Sequence, residues 1–417
     1  MNVRSSINRA YITSSGRDLR LDFLRGYFVL IMIVDHVAGR SPLHWFTGGG
    51  NLFFVSGAEG FFVISGLVAG IVYHRIIDTQ GFQAAMVKLL FRIFVLYIVG
   101  VSINLINLPF HDNFWAVDQP PEYFQPDAIL RIFSLKTGNV IIAYAFLYTA
   151  VPFALLILKK GRGLYLLIGS WAIYLVYVFF PNPTAFPLHT AISLNGLQVL
   201  FFTALFIGYT KHLTLDYGKN LLKNEWLIAF STGFLFLVII YFILHPLPWT
   251  PKNLISNTAV DWININLFDK VTLRPGRILS AYVVFGTFFI SLSLYWEKIT
   301  RALGWLIFPF GKSALYAYTI HIPLAASVNK YLESGLISPT NLINLLIQII
   351  AVFLIWFLTK KKVLAPTQAT LQYWFLFPFV FAIFLYFVDI IIHIQSQNPY
   401  FLRALVYWIT WFPVIPH

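Results

Sequence analysis

The chain of 417 residues contains no cysteine. That absence excludes disulfides, thiolate metal sites and a cysteine nucleophile. Charge is also scarce. Only 11% of the residues are charged, where a soluble domain carries about a quarter. Acids are the rarer sign, with 16 Asp and Glu against 29 Lys and Arg, for a formal net charge of +13. No Gly-x-Ser-x-Gly elbow and no metal-ligand cluster occurs. The glycine run "FTGGGN" at 46–51 lacks the following lysine and helix context of a phosphate-cradling loop. There is no internal repeat and no low-complexity tract, so an inverted-repeat transporter finds no support.

What the sequence has in abundance is apolar surface. It is 59% hydrophobic and 18% aromatic, with a mean hydropathy of +0.75. Apolar blocks of 17 to 23 residues recur along its whole length, which is the signature of a polytopic helical membrane protein. The expected fold is all-α, a transmembrane bundle of eleven helices near 21–38, 51–73, 88–108, 139–158, 163–180, 193–210, 226–244, 277–296, 312–331, 341–359 and 371–392. Residues 1–20 then form a basic cytoplasmic segment and 21–392 a single transmembrane domain. Residues 393–417 are too short and proline-broken to span and are expected to be interfacial or re-entrant. Arg4, Arg9, Arg17 and Arg20 precede the first block as in a signal peptide. That block also holds Asp22, Arg25, Asp35 and His36, so it is read as a retained helix.

The basic residues sit in short loops, which makes the lipid bilayer the partner and not nucleic acid. With the N-terminus inside, inner segments hold 17 Lys and Arg and outer segments 8. The bias predicts N-inside and C-outside.

Charges at membrane depth cost a few kcal/mol or more and persist where they pair or work. In "RGYFVLIMIVDH", residues 25–36, eleven positions advance the azimuth by about 1100°, three turns plus roughly 20°. Arg25 and His36 therefore share a helix face, about 16 Å apart along the axis. Asp22 lies one turn before Arg25 and can pair with it. The plainer alternative is a snorkelling arginine and a histidine near the headgroups. Glu59 sits among small residues in "SGAEGFFVISGLVAG", where it either pairs with a base on another helix or takes part in chemistry; Ser65 and Gly66 continue that small-residue strip. "GKSALYAYTIHIPL", residues 311–324, starts from Lys312 and carries His321 roughly 13 Å deeper, either lining a pore or bonded within the packing. "LFDKVTLRPGRIL", residues 267–279, reads equally as a pore mouth or as interfacial anchoring. Asp389 and His393, spaced i, i+4, read as a structural pair.

Together these stretches resemble the membrane-bound acyltransferase type 3 superfamily. "LRLDFLRGYFVLIMIVDH" is similar to its first helix, with an arginine and a histidine separated by ten residues. "GFFVISGL" resembles its phenylalanine-rich Ser-Gly motif, and "GKSALYAYTIHIPL" its late Tyr…His-x-Pro helix. The OpgC branch, which modifies periplasmic glucans, is the closer resemblance. Its Asp-His pair, its Ala-Glu and its outer Asp-Lys…Arg segment read here as Asp35-His36, Ala58-Glu59 and Asp269-Lys270…Arg277. The match runs from about residue 17 to 330. One stretch departs: "SLNGLQVLFF" keeps Asn195 and Gln198 but has Gly196 and Leu197 where bulkier residues are expected.

The resemblance implies a multi-pass protein of the bacterial inner membrane. It implies transfer of an acyl group, with succinyl suggested, from cytoplasmic acyl-CoA to a hydroxyl of a periplasmic glucan or other envelope glycan. Acyl-CoA is a co-substrate; no permanently bound cofactor and no metal is expected. His36 is the expected general base. Asp35, about 100° around the helix from His36, is assigned a supporting role, and Glu59 is expected to set the His36 tautomer. Arg25 is expected to hold a phosphate of CoA or a carboxylate, with Asp22 beside it. Ser65, Tyr318, His321, Lys270 and Arg277 are expected along the substrate path. Direct transfer and an acyl-histidine intermediate fit the pattern alike. The competing class is a transporter or flippase for glycans or lipid-linked sugars, with the same polar path and no chemistry.

Overall fold

A computed structural model describes residues 11–13, 17–47, 52–107, 140–180, 193–210, 224–245, 256–333, 340–363 and 383. Among the described residues there are thirteen α-helices and no strand. In chain order they are α1 (Leu19–His36), α2 (Leu43–Thr47), α3 (Gly57–Gln80), α4 (Phe82–Asn107), α5 (Val140–Lys159), α6 (Gly163–Phe179) and α7 (Leu194–Tyr209). There follow α8 (Asn224–Leu244), α9 (Asn257–Leu267), α10 (Pro275–Leu294), α11 (Trp296–Lys312), α12 (Ala314–Glu333) and α13 (Asn341–Lys361). A short 3-10 turn, Leu52–Phe54, precedes α3.

Six stretches are long and apolar enough to cross a membrane, by length and composition: Leu52–Gln80, Phe82–Ile106, Val140–Lys159, Glu225–Leu244, Pro275–Leu294 and Asn341–Lys361. Their outward faces carry large apolar side chains such as Phe153, Phe236 and Ile350, all exposed. Apolar exposure on this scale fits lipid and not water. The chain is a membrane protein. Helices occupy ten of the eleven expected stretches; the eleventh, 371–392, lies outside the described residues, as do Asp389, His393 and the segment 393–417.

α1 is the hub. It packs against α2, α3, α10, α11, α12 and α13, and Val29, Ile33 and Val34 are fully buried at its centre. Its start is fixed by Asp18, whose side chain accepts from the Arg20 amide at 2.9 Å. The Arg20 guanidinium is buried, bonded to Asp18 at 2.6 Å and to the Ser293 hydroxyl at 2.8 Å, with the Tyr11 ring 3.8 Å away. Asp22 is held mainly by Arg17, through two bonds of 2.7 Å. The expected Asp22–Arg25 pair is present but longer, at 3.5 Å.

Two further expectations about position are corrected. Glu59 is not mid-helix. The apolar block from residue 51 begins with the 3-10 turn, and α3 starts only at Gly57, so Glu59 lies in its first turn. There it closes a capping box with Ser56, whose amide donates to it at 3.0 Å and whose hydroxyl also bonds it. The stretch 297–311, read as a connection between helices 277–296 and 312–331, belongs to the helix α11, and Lys312 ends it instead of opening the next one. Its buried residues Trp296, Gly304, Ile307, Phe310 and Gly311 fall on one helical face.

Helices approach most closely where glycine lines the contact. A Cβ on Gly66 would strike the Phe201 carbonyl, one on Gly70 the Leu205 carbonyl and one on Gly208 the Leu67 carbonyl. α3 and α7 therefore touch backbone to backbone, the close packing that small residues permit in membranes. Gly208→Ala must push the helices apart against rigid backbone, at a cost of about 1–3 kcal/mol. The expected result is a lower unfolding temperature in detergent. Gly169→Ala is the control, since nothing lies within 4 Å of its added Cβ, and it should unfold no lower than wild type.

Candidate active site

The carboxy-terminal end of α1 is held by two polar side chains from distant helices. The Gln348 amide on α13 donates to the carbonyls of Val34, Val37 and Gly39 at 2.9–3.1 Å. These carbonyls gather where α1 ends, and the last four of any helix lack partners within it. Asn329 on α12 donates to the His36 carbonyl and accepts from the Ala38 amide, each at 2.9 Å. The backbone of His36 is thus fixed on both sides.

The His36 side chain meets His321. Nδ1 of His36 lies 2.9 Å from Nε2 of His321, and the ring planes differ by 14° with centres 5.2 Å apart. The gap between 5.2 and 2.9 Å is just two ring radii, so both nitrogens lie on the line joining the centres. The rings meet edge to edge in one plane; they are not stacked face to face. Nδ1 of His321 lies 2.7 Å from the Tyr318 carbonyl. The Lys270 ammonium, on the exposed loop before α10, lies within Coulombic range of His36.

The expected partner for His36 was Glu59, and the structure places that carboxylate elsewhere. Besides Ser56, it takes the Arg277 Nε at 2.5 Å, with both side chains wholly buried. Arg277 therefore lies inside the bundle and not at a pore mouth. The loop before it is docked: Asp269 accepts from the Thr272 amide and hydroxyl at 2.7 Å, and Tyr174 donates to the Leu273 carbonyl at 2.7 Å. Asp35 faces the His44 imidazole at 3.7 Å.

Toward the other end of α1 a cavity of about 1220 Å³ opens between α1, α3, α4, α5, α12 and α13. Of the residues expected to meet substrate, Arg25 and Ser65 line it. Tyr318 and His321 do not; both are buried behind the wall, and α12 presents Thr319, Ile320 and Pro323 instead. Among the described residues four cations stand on the wall, Arg25, Arg92, Lys312 and Lys362, and no acid does. The sequence reading missed Arg92. It projects from α4 toward Tyr73, Tyr144 and Tyr148 and bonds the Tyr144 hydroxyl, which in turn donates to Tyr148 at 3.1 Å. Its signal was available, a lone arginine inside the apolar run "LLFRIFVLY".

A basic, largely apolar cavity at one end of α1 and a histidine pair at the other suit a protein that holds an anionic ligand and handles a proton. Residues 17–365 match the family described as OpgC protein, and the chain belongs to it. Membership points to a transferase of the acyltransferase type. No curated protein and no solved structure matches the chain.

The Glu59–Arg277 pair generates a stability prediction. Glu59→Ala takes the carboxylate from a buried guanidinium, a loss of about 3–5 kcal/mol for breaking such a pair. Folded protein recovered from membranes should fall steeply. Recovery equal to wild type would mean that the pair carries no such weight.

Proposed function

We propose that this protein moves an acyl group from cytoplasmic acyl-CoA to a hydroxyl of an extracytoplasmic glycan, with its N-terminus in the cytoplasm and the bundle in the bacterial inner membrane. Succinyl is the acyl group that the OpgC resemblance suggests, and a periplasmic glucan the acceptor. One observation carries the reading: a single helix joins a cavity ringed by cations to a fixed histidine pair. Arg25 and His36 stand about 16 Å apart along it, a span for the long, flexible thioester arm of CoA.

The acid-free wall suits the phosphates of the donor. Arg25 offers a planar fork, and Lys312 and Lys362 stand at helix ends beside it. At the other end His36 takes the proton of the acceptor hydroxyl. As that oxygen bonds to the thioester carbonyl, the carbon–sulfur bond breaks, and the CoA thiolate leaves and gains a proton. Lys270 meets the acceptor side. Ser65 lies on the donor path, Asp22 steadies Arg25, and Tyr318 supports His321. Asp35, through His44, and the Glu59–Arg277 pair hold the surrounding backbone.

Purified protein should release CoA slowly from succinyl-CoA even without acceptor, whereas a transporter or flippase should release none. Arg25→Ala should weaken acyl-CoA binding and Arg25→Lys should restore part of it, because lysine lacks the bidentate geometry. His36→Gln should lose at least about 100-fold in transfer, the low end for general-base catalysis, while donor binding persists. Acylated envelope glycans, read by mass spectrometry, should disappear from cells lacking the protein. Unchanged glycans together with no CoA release would overturn the proposal.

A further inference from the structure

The histidine pair contains more information than proximity, because one of its hydrogen bonds ends on a group that can only accept. The Tyr318 carbonyl has no proton to give, so Nδ1 of His321, 2.7 Å away, is the donor and carries the hydrogen. In a neutral ring the other nitrogen is then bare. Nε2 of His321 must therefore accept, and across the 2.9 Å contact Nδ1 of His36 must donate. That leaves Nε2 of His36 without a proton. The near-coplanar, end-on arrangement of the rings is what such a nitrogen-to-nitrogen bond requires.

We infer that His321 is a positioning residue that selects the tautomer of His36 and leaves Nε2 as the nitrogen that meets the acceptor hydroxyl. The inference rests on the acyltransferase reading for its purpose, but not for its chemistry. Free histidine prefers its proton on Nε2, the nitrogen that must be bare for a base pointing away from His321. An unconstrained His36 would spend most of its time in the wrong form. His321 thus fills the orienting position that a carboxylate holds in other triads. The two candidate carboxylates are engaged elsewhere: Glu59 bonds Ser56 and Arg277, and Asp35 faces His44. Of the neighbouring cations, Lys270 acts on His36 through space. His321 is wholly buried, so a neutral orienting group avoids placing a buried charge beside His36. When His36 takes a proton at Nε2, the charge stays on that ring and its Nδ1 proton remains bonded to Nε2 of the wholly buried His321.

The direct test needs no activity. Protein labelled with nitrogen-15 histidine, studied by solid-state NMR in lipid at a pH where His36 is neutral, should show its Nδ1 protonated and its Nε2 bare. His36→Gln supplies the assignment. In His321→Leu the His36 signal should move toward the Nε2-protonated form. In His321→Gln, whose side-chain carbonyl can still accept from Nδ1, it should stay as in wild type. Kinetics give a second readout. His321→Leu should lower kcat by about 10-fold or more with KM for acyl-CoA unchanged, and His321→Gln should recover most of it, a rescue that a merely packed histidine would not show. A wild-type His36 protonated on Nε2 would overturn the inference. So would equal losses in both variants with the tautomer unmoved. If CoA release fails while the tautomer is as stated, the acyltransferase reading falls and the hydrogen-bond assignment stands.

Discussion

A charge withdrawn from water costs several kcal/mol even after relaxation, and this bundle is arranged around answering that cost. Arg20 is buried at the start of α1 and reaches Ser293 near the end of α10. Arg277 is buried at the start of α10 and reaches Glu59 in the first turn of α3. α10 is therefore tied at one end to α1 and at the other to α3, by guanidinium groups that have few alternative partners in an apolar setting. Asp22 is answered by Arg17 and Arg25. These contacts set the register of the helices on which the cavity and the histidine pair both stand, while apolar packing, indifferent to small sliding motions, fills the space between.

The helices were legible because a membrane span advertises itself by length and hydropathy alone. α11 was not, because Glu297, Lys298, Arg301 and Lys312 dilute its mean hydropathy while its buried stripe stays apolar. Periodicity detects such a helix and averaging hides it. The same holds for the cap at Ser56: the Ser-x-x-Glu spacing was on the page, and it marks a helix start. Arg25 and His36 could be paired from spacing because they share a helix. The partners of His36 and Glu59 could not. His321 is 285 positions from His36 and Arg277 is 218 from Glu59, and no local period encodes which helices face each other. Helix azimuth set aside Asp35, the carboxylate adjacent to His36 in sequence, and Glu59 was expected across a helix interface that the structure gives to Arg277 instead.

The departure at Gly196 also has a physical account. A side chain there would run into Leu273, which is fully buried, has φ of +50° and sits in the docked loop before α10. Gln198 keeps a structural duty, with its amide bonded to the Ser170 carbonyl at 2.8 Å and its carbonyl accepting from the Ser170 hydroxyl at 2.6 Å. The glycine and the inserted leucine are complementary, so the bulk expected on one element is supplied by another. α6, α7 and the loop form one packed corner beneath Lys270.

α13 touches both ends of the proposed reaction path. Near its start Gln348 gathers the carbonyls that end α1 under His36, and just past its last turn Lys362 stands on the wall of the basic cavity. The two are fourteen positions apart, about 21 Å of helix. A helix of that length without an internal proline behaves as a strut. Any tilt that draws Lys362 toward a bound anion also shifts the amide that anchors the histidine end of α1. On the proposed reading, filling the cavity and seating the base are linked through one rod, α13.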